Sequence, residues 1–90
     1  MCIHKMHSMV ILPPMEMAVL KALADACNYS LGAHVPLEAI SCKFPRHLRG
    51  DIKKNLRKLR SKGYCFEHPT GRTVTWQLTF EGLSMCRAIT

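Results

Sequence analysis

The sequence lacks most of what an enzyme needs. Its six acidic residues are scattered, with no pair at a spacing suited to general acid–base work. It has no glycine-rich phosphate loop, no nucleophile elbow and no Ser/His/Asp arrangement. Ninety residues bury roughly 60–65% of their extended surface on folding, enough for one modest core but not for a deep substrate cleft. No enzymatic activity is expected. No run approaches the ~20 apolar residues of a membrane span. The apolar stretch after Met9 is broken by Pro13, Pro14 and Glu16, which also argues against a signal peptide. The five cysteines, Cys2, Cys27, Cys42, Cys65 and Cys86, are odd in number, widely spaced and without a C-x-x-C pair. This excludes a disulfide framework and points to free thiols in a reducing, cytoplasmic setting. Cys27, Cys42, Cys65 and Cys86 read as small buried hydrophobes rather than redox sensors. Cys2, His4 and His7 are the one group able to approach a metal, but structural zinc wants four closed ligands. No metal and no cofactor are therefore expected. Repeats, low-complexity tracts and linkers are also lacking, which leaves a single domain.

Basic charge is what the sequence has in excess. The formal net charge is +7, and eight of the thirteen Lys and Arg lie between Arg46 and Lys62, where Asp51 is the only acid. Such a balance argues for a polyanionic partner.

Residues 1–12 read as a lead-in, an extra element or a dimer contact, and residues 13–90 as the domain. Pro13-Pro14 opens a first helix, since Pro is tolerated where the N–H lacks an intrahelical partner. Met15, Val19, Ala22, Leu23 and Ala26 then recur at helical spacing, to an expected end near Asn28–Tyr29. Pro36 can start a second helix, with Leu37, Ile40 and Phe44 inward, and Phe44-Pro45 breaks it. His34-Val35-Pro36 is too short to assign. A third helix follows, expected over 46–62. Leu48, Ile52, Leu56 and Leu59 make its apolar stripe, and Gly63 stops it. After Gly63 the period changes. Tyr64–Glu67 reads as a strand, Pro69–Arg72 as a tight turn and Thr73–Leu78 as a second strand. A last helix is expected from about Phe80 to Ile89, with Thr79 as N-cap.

The order helix, helix, helix, hairpin, helix is mainly α with a small β-hairpin. It is the winged form of helix-turn-helix: a three-helix core plus wing and C-terminal helix. The segment Arg46–Gly82 resembles small prokaryotic winged-helix regulators of the MarR, PadR and ArsR type. The matching features are the basic amphipathic helix ending Ser61-Lys62-Gly63-Tyr64, the Gly71-Arg72 hairpin tip, and Leu78-Thr79-Phe80-Glu81-Gly82, a leucine-threonine-x-x-glycine step. A second resemblance competes. Val35-Pro36-Leu37-Glu38-Ala39-Ile40-Ser41 and Leu78–Leu83 are similar to the winged-helix domain of archaeal Rio-type kinases. The chain carries no kinase domain, so kinase activity does not transfer.

The first resemblance implies duplex DNA as partner and transcriptional regulation as the role. The alternative is a winged-helix module for RNA, ribosome or protein binding. At about 100° per residue, Arg46, Arg49, Lys53, Arg57 and Arg60 form a basic stripe roughly 105° around from the apolar one. A helix with one buried and one basic face suits the major groove. Arg46, His47, Arg49 and Lys53 are the candidates for base contact. Lys54, Arg57, Lys58 and Arg60 are candidates for phosphates, and Arg72 for the wing contact. Trp76 is expected in the core. The first and last helices, with residues 1–12, are candidates for a homodimer contact; Leu83, Met85 and Ile89 read equally as contacts of that interface or as packing on the domain's own core.

Overall fold

A computed structural model describes residues 12–89. Cys2, His4, His7 and all of the lead-in but Leu12 lie outside the described residues, as does the side chain of Ile89. Leu12 itself is buried against the core.

Helix α1 spans Pro14–Ala26. Pro13 gives it an extended entry, and its first bond runs from the Met17 N–H to the Pro13 carbonyl at 3.0 Å. The helix stops two residues before the expected end. Asn28 and Tyr29 both take left-handed backbone, with φ of 57° and 56°, and the Tyr29 N–H turns back to the Ala24 carbonyl at 2.8 Å. That closing bond satisfies a terminal carbonyl and ends the ladder. Helix α2 is short, Leu37–Ser41, and inserts Ile40 into the core. Leu37 and Phe44 are half-buried beside it.

The third helix does not begin at residue 46 as one continuous element. Arg46–Leu48 form a 3-10 turn, and α3 runs Arg49–Ser61. Pro45 holds extended backbone before the turn. Leu48 thus sits at a junction and is half-buried, while Ile52, Leu56 and Leu59 are fully buried. Asn55 joins that face. It stays satisfied there because its Nδ2 donates to the Asp51 carbonyl at 2.7 Å. Gly63, at φ 86°, ends the helix. The Tyr64 N–H reaches back to the Leu59 carbonyl at 2.9 Å.

Among the described residues the sheet has three strands, not two. Strand β1 is Val35–Pro36, β2 is Cys65–Thr70 and β3 is Thr73–Leu78. They run antiparallel in the order β1-β3-β2, with Val35 and Glu67 on either side of Trp76. Two residues carry no period, so β1 could not be read locally. It forms because Val35 buries its side chain beside Trp76. Pro69 and Thr70, expected in a turn, belong to β2 and pair with Val74 and Thr73. The turn shrinks to Gly71-Arg72, with Gly71 at φ 68°. Pro69 is tolerated because β2 is an outer strand, where a missing N–H breaks no ladder on the open side.

Helix α4, Phe80–Ile89, docks through Thr79. Its Oγ1 accepts from the Gly82 N–H at 3.0 Å and donates to the Gly63 carbonyl at 2.7 Å. Its N–H donates to the Tyr64 carbonyl at 3.3 Å. One threonine therefore caps α4 and ties it to the end of α3. A Cβ on Gly82 would stand 2.1 Å from the Tyr64 carbonyl oxygen, so only glycine allows this approach. The Leu78-Thr79-x-x-Gly82 step is the physical record of that junction. Leu83 and Cys86 then enter the core. Leu83 thus packs on the domain's own core, one of its two expected places. Met85 packs half-buried against the same cluster.

Trp76 is 2% exposed and anchors the sheet on the helices, as expected. Glu16 is buried, its side chain 5% exposed, and Lys62 Nζ meets its Oε1 at 2.7 Å. This ion pair fastens the end of α3 to the start of α1.

Cys27, Cys65 and Cys86 are buried, whereas Cys42 is exposed on the turn after α2 and corrects its reading as a core residue. Burial raises the thiol pKa of Cys65 to about 12 and also pushes Cys27 and Cys86 upward. The thiolate is the reactive form. Iodoacetamide should therefore modify Cys42 in the native protein and leave those three untouched until the chain unfolds. Peptide mapping after a timed pulse checks this. Early labelling of Cys65 would mean the sheet–helix seam opens.

Candidate nucleic-acid interface

The basic stripe survives folding, and the chain arranges two acids around it. Arg49, Lys53, Arg57 and Arg60 occupy one face of α3, next to the buried stripe and turned toward the hairpin. Arg49, Lys53 and Arg57 meet Arg72 of the wing in a cleft of about 310 Å³, floored by Leu37, Val74 and Trp76. Four cations from two separate stretches of sequence thus line one channel between helix and wing. Arg46 and Arg49 border a second, smaller hollow with Ser41, Cys42, Phe44 and Pro45. His47 lies on the 3-10 turn and lines neither. Lys54 and Lys58 stand further round α3, exposed and outside both hollows.

Glu38 and Glu67 are the residues the sequence did not announce. Glu38, at the start of α2, accepts from Arg49 Nη2 at 2.7 Å. Glu67, on β2, accepts from Arg60 Nη1. The row is tied to carboxylates at both ends and open in the middle. Among the described residues, Arg46, Lys53, Lys54, Arg57, Lys58 and Arg72 form no ion pair. Arg49 holds the Glu38 carboxyl below the usual range, chiefly by its hydrogen bond. A depressed carboxyl keeps its pair above the ordinary glutamate pKa and loses it only as the pH falls through the lowered value. Arg49 is therefore paired at neutral pH. No local signal could have found either pairing, because each joins elements that only tertiary packing brings together.

The wing is braced from outside. Gln77 Nε2 donates to the Leu31 carbonyl at 2.5 Å, which commits the amide oxygen to His68 Nε2 at 2.7 Å. His68 in turn lies against His34, ring centroids 4.5 Å apart. Thr70 Oγ1 donates to the Thr73 carbonyl at 3.1 Å and closes the tip that presents Arg72.

Solved structures similar to this chain include two that differ in what their names say. One is AF1382 from Archaeoglobus fulgidus, with a TM-score of 0.70 at 17% identity, covering 88% of this chain and 84% of that one. The other is described as a "possible transcriptional regulator for arsenical resistance", with a TM-score of 0.57 at 23% identity, covering 88% of this chain and 81% of that one. This is a winged helix-turn-helix fold. At these identities the likeness carries the fold alone. No protein-family model matches the sequence, and no curated protein matches it. In the winged helix-turn-helix, α2 and α3 are the paired helices and β2–β3 the wing. Among the described residues, no group of three His, Cys, Asp or Glu is placed to hold a metal. No described helix is long and apolar enough to cross a membrane.

Proposed function

We propose that this domain binds duplex DNA as a transcriptional regulator. The 3-10 turn at Arg46–Leu48 and helix α3, Arg49–Ser61, enter the major groove, and the wing lies on the flanking backbone. The observation that carries this reading is the channel where Lys53 and Arg57, neither in an ion pair among the described residues, face Arg72 across a gap between helix and wing whose carboxylates, Glu38 and Glu67, are held by Arg49 and Arg60. A stripe of cations on a lone helix suits any solvated face. Cations converging from helix and wing around a cleft suit a ligand with regularly spaced negative charge. The similarity to a possible transcriptional regulator adds modest support. Arg46, His47, Arg49 and Lys53 reach base edges. Lys54, Arg57, Lys58 and Arg60 contact phosphates, and Arg72 secures the wing. On this reading the protein acts in the cytoplasm, and a second copy reads a second half-site about one helical turn away.

The test is a fluorescence-anisotropy titration against duplex DNA, single-stranded DNA and structured RNA across a salt series. Five phosphates neutralised, by Lys54, Arg57, Lys58, Arg60 and Arg72, give an expected slope of log K on log salt of about −4 to −5 for duplex DNA. Absence of duplex binding at low salt overturns the reading. Preference for structured RNA would move the domain to RNA binding, and silence toward every nucleic acid would leave an acidic protein surface as the partner.

A further inference from the structure

The two ion pairs on the basic face do little for the fold. Arg49 and Glu38 are 50% and 67% exposed and Arg60 and Glu67 47% and 20%, so solvent screens both pairs, the first most strongly. Yet each sets a carboxylate on a surface whose proposed ligand is a polyanion. Glu38 lies beside Arg49 at the helix end that enters the groove, and it borders both hollows. A phosphate brought to Arg49 therefore meets the negative charge of Glu38 as well.

A base edge meets something different. Guanine presents N7 and O6, which are neutral acceptors. The guanidinium has five N–H donors in a rigid fork, and Glu38 takes one of them, on Nη2. The others remain for a planar acceptor pair. A guanidinium neutralised by a carboxylate is a poor phosphate ligand but keeps its hydrogen-bonding shape. The carboxylate also restricts the side chain's rotamers, which lowers the entropy lost when a base edge is engaged.

We infer that Glu38 is a specificity-determining residue: it holds Arg49 away from phosphates and presents it to a base edge, so that random duplex is bound more weakly than the preferred sequence. This rests on the duplex-DNA reading above. Glu67 provides the internal comparison, since it ties Arg60 at the far end of α3. There the arginine is a phosphate candidate, and releasing it should raise affinity for every duplex alike.

The experiment starts from duplexes enriched from a random pool by the wild-type protein. Affinities for an enriched and a random duplex are then measured across a salt series for wild type, Glu38→Gln, Glu67→Gln, Arg49→Ala and the Glu38→Gln/Arg49→Ala pair. Glu38→Gln should tighten binding to random duplex and steepen its salt slope by about 0.9, one added phosphate contact. It should also cut the preference for the enriched duplex about tenfold, within the range one bidentate contact supplies. In the Arg49→Ala background, Glu38→Gln should leave the preference unchanged. Glu67→Gln should tighten both duplexes equally. Unaltered thermal melting would separate these effects from a structural role. Equal weakening on both duplexes after Glu38→Gln, or no change at all, overturns the inference alone. A wild-type protein that binds no duplex overturns the functional reading and this inference with it.

Discussion

Gly82→Ala should lower stability by about 2–3 kcal/mol, against the usual rule that alanine strengthens a helix. Gly82 is in the first turn of α4, where helix propensity alone favours alanine. Its Cβ would stand 2.1 Å from the Tyr64 carbonyl oxygen and 3.0 Å from Leu78 Cδ1. The nearer atom is backbone, so relief requires α4 to move off the α3–β2 junction. That motion breaks the Thr79 bonds to Gly63 and Tyr64. Gly50→Ala is the matched control. It lies in the first turn of α3 with nothing within 4 Å of an added Cβ. It should gain up to about 1 kcal/mol. In a domain of this size 1 kcal/mol moves the melting temperature by roughly 4–8 °C. The two variants should therefore melt on opposite sides of wild type, by differential scanning calorimetry or urea titration. A Gly82→Ala protein that melts with wild type would mean that α4 does not dock this closely.

The second large effect is on binding. Lys53→Glu with Arg57→Glu should weaken affinity for random duplex by about two orders of magnitude at about 50 mM salt, and make the salt slope shallower by about 1, the Arg57 phosphate contact. These residues lie one helical turn apart, exposed, in the cleft opposite Arg72, and neither forms an ion pair among the described residues, although Glu38 and Glu67 line the same cleft. Removing them takes away the unpaired centre of the row, and reversing them adds repulsion there. Far-UV circular dichroism should be unchanged, because neither side chain contributes to the core. The same reversal at Lys54 and Lys58, outside the cleft, should cost less. If the two pairs behave alike, the duplex responds to net charge and not to the channel.

Much of the architecture is written locally. Ile52, Leu56 and Leu59 repeat at helical spacing and are buried. Thr73–Leu78 alternates as a strand should, and both Gly63 and Gly71 mark breaks in chain direction. These features depend on neighbours in sequence, so period and turn chemistry suffice. What escaped depends on distant partners. Strand β1 has two residues and forms only because β3 is there to receive it. Pro69 looks like a turn residue until β2 is known to be an outer strand. Residues 46–48 continue the apolar period of α3, yet Pro45 starts them as a tighter turn. The candidate cations were legible as charge, and their acidic partners were not. Glu38 lies 11 residues before Arg49 and Glu67 lies 7 after Arg60, in elements whose mutual placement is tertiary.

The positions of the two prolines in the sheet have a further consequence. Order β1-β3-β2 makes β1 and β2 the two margins, and each carries one: Pro36 in the two-residue β1, Pro69 near the tip of β2. An incoming strand bonds to a continuous row of N–H and C=O groups. At one margin Val35 supplies the sole N–H of the strand, and at the other the row is interrupted before the hairpin tip. Each margin thus offers an incoming strand only an interrupted row, which works against growth of the sheet by strand addition.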